Sequence, residues 1–183
     1  MLDQAFDAIF TRTLTGHITS WNKGAETLYG FAAADSMASA AIALDSTFML
    51  AWEWRANALL GLGHATEAVT LLERQVGTLP TGRPQEVHCL LAYAYALAGR
   101  ATDARATLNH IRARSGGRLP ATGATAAALE ELGDHEAAVA LLAEAIAKHD
   151  VWLVQFPRAA RYDRLRRDPR AAAMLDRLGR GTT

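Results

Sequence analysis

The chain has 183 residues, half of them apolar, so it is long enough and hydrophobic enough to fold around a buried core. Nineteen Lys and Arg side chains balance nineteen Asp and Glu side chains, which excludes the overall positive charge of an electrostatic nucleic-acid binder. A single cysteine excludes an internal disulfide and a thiolate zinc cluster, and the lack of a basic leader or a long apolar run predicts a cytoplasmic protein.

The N-terminal residues carry three local features: Gly16, Trp21-Asn22 and Tyr29-Gly30-Phe31. They predict a short β-hairpin that turns at the first glycine, followed by a short helix over residues 23–29. Residues 2–31 resemble the opening of a PAS sensor domain. A PAS domain needs about a hundred residues, a typical domain size, and a different pattern begins here almost at once. We therefore predict a PAS-like fragment over residues 1–31.

Downstream, three glycines that lie 36 and 34 residues apart mark an internal repeat: Gly63, Gly99 and Gly133. Around each glycine, small and large apolar residues recur at the same distances. In chain order they are Ala56, Leu59, Ala68 and Leu72, then Ala92, Tyr95, Ala104 and Leu108, then Ala126, Leu129, Ala138 and Leu142. Small residues let two helix backbones approach closely, while Leu and Tyr fill the space beside them. Each copy is therefore predicted to be two antiparallel helices divided by its glycine.

This pattern, which ends on Pro80 in the first copy, resembles the tetratricopeptide repeat (TPR). The resemblance implies an all-α fold, an α-solenoid of TPR-like helical hairpins, here with a possible short N-terminal β-hairpin. It covers residues 32–157, which divide into a half-repeat and three repeats: 32–46, 49–80, 85–116 and 119–150. The chain departs from the family pattern at three kinds of position. His88 and Thr122 replace an opening aromatic residue, Gln75 replaces a helix alanine, and Gly116 and Asp150 replace a closing proline.

A basic tail, residues 158–183, follows the repeats. The stretch Arg158–Arg180 contains eight arginines and three aspartates. Asp168 is a good helix N-cap, so a last helix is predicted over residues 169–178. Residues 162–170 are similar to the segment that closes repeat regions appended to bacterial regulators, and we expect them to cap the solenoid. The interleaved aspartates predict internal ion pairs, so a protein partner is favoured over nucleic acid, for which this tail is the only candidate.

No residue pattern predicts catalysis. Cys89 follows His88, but neighbours on a helix point about 100° apart and cannot form a nucleophile and base pair. Glu130 and Glu131 are predicted to lie on a solvated helix face. The six histidines lack metal-ligand spacing, and no glycine-rich phosphate loop is present. We therefore expect no enzyme activity, no metal site and no cofactor.

In TPR proteins the first helices of successive repeats line a concave groove that grips an extended peptide or a partner helix. The resemblance assigns six residues to this partner-binding groove: Glu53, Asn57, Leu60, Cys89, Tyr93 and Glu130. We predict a non-catalytic protein–protein interaction module with a scaffold or regulatory role. The open alternative for the groove is burial by the remainder of a larger protein or by the N-terminal segment.

An alternative function follows from the PAS-like opening. The chain would then be a PAS-type sensory or signal-transduction protein, or a remnant of a sensor kinase or transcriptional regulator. In that case a homodimer could complete the sheet that residues 1–31 begin.

Overall fold

The computed structural model describes residues 10–12, 18–21, 23–78, 85–150, 153 and 159–179. The chain forms two compact units, Met1–Leu71 and Leu72–Thr183, and each is described by itself. The fold class is all-α, as the repeat pattern predicts. Among the described residues, no helix combines the length and the apolarity needed to cross a membrane.

The N-terminal unit begins with two short strands, β1 (Phe10–Arg12) and β2 (Ile18–Trp21), which pair antiparallel. They lie where the sequence predicts a hairpin. Helix α1 (Lys23–Leu44) follows, and it is broken at Gly30, whose φ of 65° and ψ of 175° are not helical. The break separates the short helix predicted over residues 23–29 from the helix predicted for the half-repeat.

Helix α2 (Met49–Gly61) packs on α1 and is tied to it by a polar and an apolar contact. Arg55 Nε donates to Asp35 Oδ1 at 2.9 Å. Near the end of α2, the ring of Phe31 lies so close to Gly61 that an added Cβ would be 2.6 Å from Cδ1 of the ring. Gly61 is therefore a site of close helix approach.

Helix α3 (Ala65–Thr78) begins in the first unit and ends in the second. The C-terminal unit then contains α4 (Gln85–Leu97), α5 (Ala101–Arg114), α6 (Gly123–Glu131) and α7 (His135–Ala147). Helix α4 packs against both α5 and α6, and α6 packs against α7. The hairpins α4–α5 and α6–α7 thus stack side by side through their first helices, which is the arrangement of an α-solenoid.

The three repeat glycines end helices α2, α4 and α6 in one geometry. Their φ angles are positive, at 80° for Gly63, 75° for Gly99 and 83° for Gly133. The next residue in each case donates its N–H to a carbonyl oxygen five residues earlier, at 2.9 Å: His64 to Leu59, Arg100 to Tyr95 and Asp134 to Leu129. This is a Schellman cap, which favours glycine because an L side chain is strained at positive φ.

The small and large residues of the repeat pattern form the core. All of them are buried: Ala56, Leu59, Ala68, Leu72, Ala92, Tyr95, Ala104, Leu108, Ala126, Leu129, Ala138 and Leu142. The predicted helical register is therefore confirmed. Pro80, which ends the first copy of the pattern, lies outside the described residues. So do Pro84 and most of residues 151–157, where the predicted repeat region ends at Pro157. The predicted domain boundaries stay predictions.

Two departures from the TPR pattern have local explanations. Thr122 replaces an aromatic residue and is the N-cap of α6, where its Oγ1 accepts a hydrogen bond from the N–H of Thr125 at 3.2 Å. Asp150 replaces a closing proline, and its carboxylate accepts hydrogen bonds from the N–H groups of Leu153, at 2.7 Å, and Gly123. Both polar side chains satisfy backbone donors that an apolar residue would leave unpaired.

Two 3₁₀ turns, Ala160–Tyr162 and Leu165–Arg167, lead into the last helix, α8 (Pro169–Gly179). Asp168 caps this helix, because its Oδ1 accepts from the N–H of Arg170 at 2.7 Å. The helix predicted over residues 169–178 is confirmed. The turns contact α6 and α7, and α8 packs on α7.

Candidate partner-binding site

Three of the predicted groove residues, Glu53, Asn57 and Leu60, lie on α2 in the N-terminal unit and are half-buried. The side chain of Asn57 donates from Nδ2 to the carbonyl oxygen of Glu53 at 2.8 Å. The amide is thus engaged with its own helix, and the partly exposed side chains of the three residues remain candidates for partner contact.

The other three groove residues lie in the C-terminal unit, and they are less accessible than a groove requires. On α4, Cys89 is 0% exposed and Tyr93 is 5% exposed. On α6, the side chain of Glu130 is 11% exposed and bonded to His135. The expectation that all three face an open groove needs this correction: in the present conformation, a partner does not reach Cys89 or Tyr93.

The cover on this face includes the chain's own C-terminal residues. Residues 159–168, which we call the cover segment, include Tyr162 and Leu165, which are 1% and 0% exposed. Tyr162 lies against the start of α6, since a Cβ added at Gly123 would be 2.9 Å from its Cζ. Burial is one of the alternatives for this face, with the N-terminal segment or a larger protein as the predicted cover. The expectation that residues 162–170 cap the solenoid does not specify the contact between Tyr162 and Gly123.

An arginine of the cover segment lies between two aromatic rings, one from the segment itself and one from α4. The Cζ atom of Arg161 lies 5.8 Å from the ring centroid of Tyr93 and 6.0 Å from that of Tyr162, within the range of a cation–π contact. Burial raises the pKa of both phenols to about 12, although the guanidinium charge acts in the opposite direction. Both tyrosines are therefore neutral at physiological pH.

Ion pairs along the outer edge join the tail to α6 and α7. Arg164 donates from Nη1 to Glu131 Oε2 at 2.6 Å, and Arg170 donates from Nη1 and Nη2 to both carboxylate oxygens of Glu136, at 3.1 and 2.8 Å. The side chain of Glu131 is only 16% exposed. The predicted solvated face at Glu130 and Glu131 is therefore wrong, because His135 covers the first carboxylate and Arg164 of the basic tail covers the second.

His135, at the start of α7, joins two carboxylates across the same edge. Its Nδ1 lies 2.7 Å from Glu130 Oε2, and its Nε2 lies 3.0 Å from Asp168 Oδ2. Hydrogen bonds to Asp168 and Glu130 raise the pKa of the imidazole. Hydrogen bonds from Arg170 and His135 hold the pKa of the Asp168 carboxyl well below its ordinary range. The edge is a chain of alternating charges that fixes the start of α8.

Cys89 and His88 do not form a catalytic pair. The thiol is hydrogen-bonded to Thr125 and Thr122, and burial raises its pKa to about 11. The ring of His88 stacks instead on His110 of α5, with ring centroids 5.9 Å apart. A thiol with so high a pKa is a poor nucleophile, because the thiolate is the reactive form.

No metal centre is found in the described part of the chain, where no three His, Cys, Asp or Glu side chains are grouped to hold an ion. Three arginines of the predicted basic tail, Arg161, Arg164 and Arg170, take part in the contacts above. Arg167 and Arg177 are exposed, and Arg158 and Arg180 lie outside the described residues.

The chain matches a known protein family. The model of the family described as bacterial transcriptional activator domain, a TPR-like helical fold, matches residues 21–119, which include helices α1 to α5. No curated protein and no solved structure matches the chain. The resemblance of residues 2–31 to a PAS opening and of residues 162–170 to a capping segment stays a prediction.

Proposed function

Because the chain belongs to the bacterial transcriptional activator domain family, we propose that it is a non-catalytic protein–protein interaction module of a bacterial regulator. It binds a peptide or a partner helix on the faces formed by the first helices of its hairpins. The family supports a regulatory role, and stacked hairpins supply extended surfaces of the kind that repeat proteins use for binding.

One observation supports a peptide as the ligand. The C-terminal unit already accommodates a stretch of protein that is not α-helical, the cover segment: its Tyr162 is buried against the start of α6, and its Leu165 is buried in the turn that contacts α7. A surface that buries an aromatic and an aliphatic side chain from one short stretch has the properties of a peptide-binding site. The buried, hydrogen-bonded Cys89 gives no support to a catalytic alternative.

Nucleic acid remains open as a further partner. The sequence favours a protein partner over nucleic acid. Membership of a family of transcriptional activators, however, gives no reason to exclude nucleic acid as a partner. A binding experiment must therefore separate the two.

The test is affinity capture from a nuclease-treated bacterial extract with the whole chain as bait. Two variants carry the same substitution in the same unit: Glu53→Arg on the first helix α2, and Glu67→Arg on the second helix α3, where the glutamate is exposed. We expect Glu53→Arg to lose protein partners that wild type and Glu67→Arg retain. Identical sets of partners from all three baits would remove the first-helix face from the proposal.

Partners that disappear from every bait after nuclease treatment would contradict a protein ligand. They would show that the capture depends on nucleic acid.

A further inference from the structure

The cover segment is held by few side chains. It contains two 3₁₀ turns, which have poorer hydrogen-bond geometry than an α-helix and depend on their surroundings. Between and beside the buried Tyr162 and Leu165, the side chains of Asp163, Arg164 and Arg167 are exposed. Burial is thus concentrated in two anchors three residues apart.

The surface beneath these anchors is shaped for them. Glycine at position 123 leaves the room that the phenol of Tyr162 occupies, and Tyr93 presents its ring to Arg161. Glu131 then accepts from Arg164 at 2.6 Å. A cation–π surface, a notch for an aromatic ring and a carboxylate therefore follow one another in the order of the tail residues that meet them, Arg161, Tyr162 and Arg164.

Besides the bond between His135 and Asp168, in which the Asp168 side chain is 10% exposed, the contacts that hold the segment's charged edge are accessible to solvent. The side chains of Arg164 and Arg170 are 49% and 56% exposed where they pair with Glu131 and Glu136. Exposed ion pairs contribute little each and are screened by salt. A segment with two apolar anchors and an exposed charged edge can open locally while the rest of the unit stays folded.

We propose that the surface formed by α4, α6 and the neighbouring part of α7 is a receptor for a protein segment with the chemistry Arg-Tyr-x-Arg-Leu, and that residues 161–165 occupy it in cis until a partner segment displaces them. The proposal rests on the proposed function and defines its ligand. The partner's tyrosine enters the notch at Gly123 and its second arginine pairs with Glu131. A partner therefore competes with the chain's own tail. Its apparent affinity is its intrinsic affinity multiplied by the fraction of receptor that is open.

The experiment measures binding of a fluorescein-labelled peptide with the sequence of residues 159–170 to the whole chain, by fluorescence anisotropy. In the opened variant, Arg164→Glu with Arg170→Glu, two ion pairs become repulsive contacts at Glu131 and Glu136. The matched control, Arg105→Glu with Arg118→Glu, disrupts two ion pairs elsewhere in the same unit, with Asp134 and Glu144.

We expect the opened variant to bind the peptide about tenfold or more tightly than wild type and the control do, because its receptor is open more often. A peptide with serine in place of the tyrosine should bind about tenfold more weakly. Equal affinity of all three proteins, or equal affinity for both peptides, would overturn the proposal.

Hydrogen exchange of the wild-type chain gives a second test that needs no variant. The backbone amides of residues 161–168 should exchange faster than those at the centre of α6, through an opening of the cover segment alone. Exchange of both sets at one rate would make the segment an integral part of the fold and overturn the proposal. That result would leave the proposed function standing on the capture experiment with Glu53→Arg, which concerns the other unit.

Discussion

The side chain of Tyr162 fills the space that the Cβ of any residue other than glycine would need at position 123. The two positions are 39 residues apart in the sequence, yet a Cβ on Gly123 would lie 2.9 Å from Cζ of the ring and closer to its hydroxyl oxygen. This contact brings the C-terminal tail onto the first helix of the last hairpin, so several properties of the C-terminal unit depend on it.

Substitution of Gly123 by alanine should destabilise the chain. Overpacking against Tyr162 costs about 1–3 kcal/mol, which exceeds the gain of about 0.5–1 kcal/mol from replacing a helical glycine. Urea unfolding measures the difference. The control is Gly77→Ala on α3, where an added Cβ meets no atom within 4 Å, so only the gain is expected. Equal effects of the two substitutions would contradict the contact.

The register of the repeat is tested at Ala104, which is 0% exposed on α5. Ala104→Trp forces a large ring between closely packed helices and should cost about 1–3 kcal/mol or more. Ala113→Trp, on the exposed side of the same helix, should change stability by less than about 0.5 kcal/mol. Thermal melting separates the two variants, and unchanged melting of Ala104→Trp would show that the register is wrong.

His135 should make stability depend on pH on the alkaline side. Both ring nitrogens face carboxylates, of Glu130 and Asp168, and both can donate only when the imidazole is protonated. Because folding raises the pKa of His135, the stabilisation is fully present below the ordinary value of 6.5 and is lost as pH rises through the raised value. Melting temperatures from about pH 6 to about pH 9 should therefore fall more in wild type than in His135→Gln.

The control for this prediction is His64→Gln: the exposed His64 pairs with the exposed Glu67 at 3.2 Å, and we expect its substitution to leave the alkaline fall unchanged. On the acid side, the pKa of Asp168 and that of Glu136 are lowered, chiefly by Arg170. Their stabilisation is present above their ordinary pKa values and lost as pH falls, so wild type should lose stability in acid, and His135→Gln should keep the part of this loss that Arg170 causes. An alkaline fall of the same size in both would contradict the bridging role of His135.

The single cysteine, Cys89, reports whether the interior of the C-terminal unit becomes accessible to a reagent. Cys89 is buried and its pKa is raised to about 11, so the native thiol should react with Ellman's reagent far more slowly than an exposed thiol at the same pH. In denaturant the chain should release one equivalent of product, which checks the reagent. Complete reaction of the native chain within the mixing time would show that Cys89 is accessible.

The helical hairpins are predictable because their information is local. Ala104 and Leu108 lie on one helix face through the 3.6-residue period, and Gly99 ends the preceding helix through a conformation that an L side chain rarely adopts. The same reasoning identifies Asp168 as the N-cap of the last helix. These features depend on residues within a few positions of one another.

The candidate site is predictable only in part. The TPR resemblance places Cys89 and Tyr93 on the first-helix face, but their exposure depends on residues far along the chain. Glu130 and Glu131 belong to a short run of polar and apolar residues that fits a solvated helix face as well as a buried one. Their burial follows from His135 and Arg164, which only folding brings beside them.

The all-α class, the three turn glycines and the alanine and leucine positions of the core follow from the sequence alone, since helix periodicity and backbone conformation are properties of neighbouring residues. Three features appear in the folded chain without a local pattern that encodes them: the tail crosses the last hairpin, Tyr162 covers Gly123, and acidic side chains of α6 and α7 hold the arginines. Those contacts join residues about thirty or more positions apart, and no local period encodes which of many exposed arginines a given carboxylate will meet.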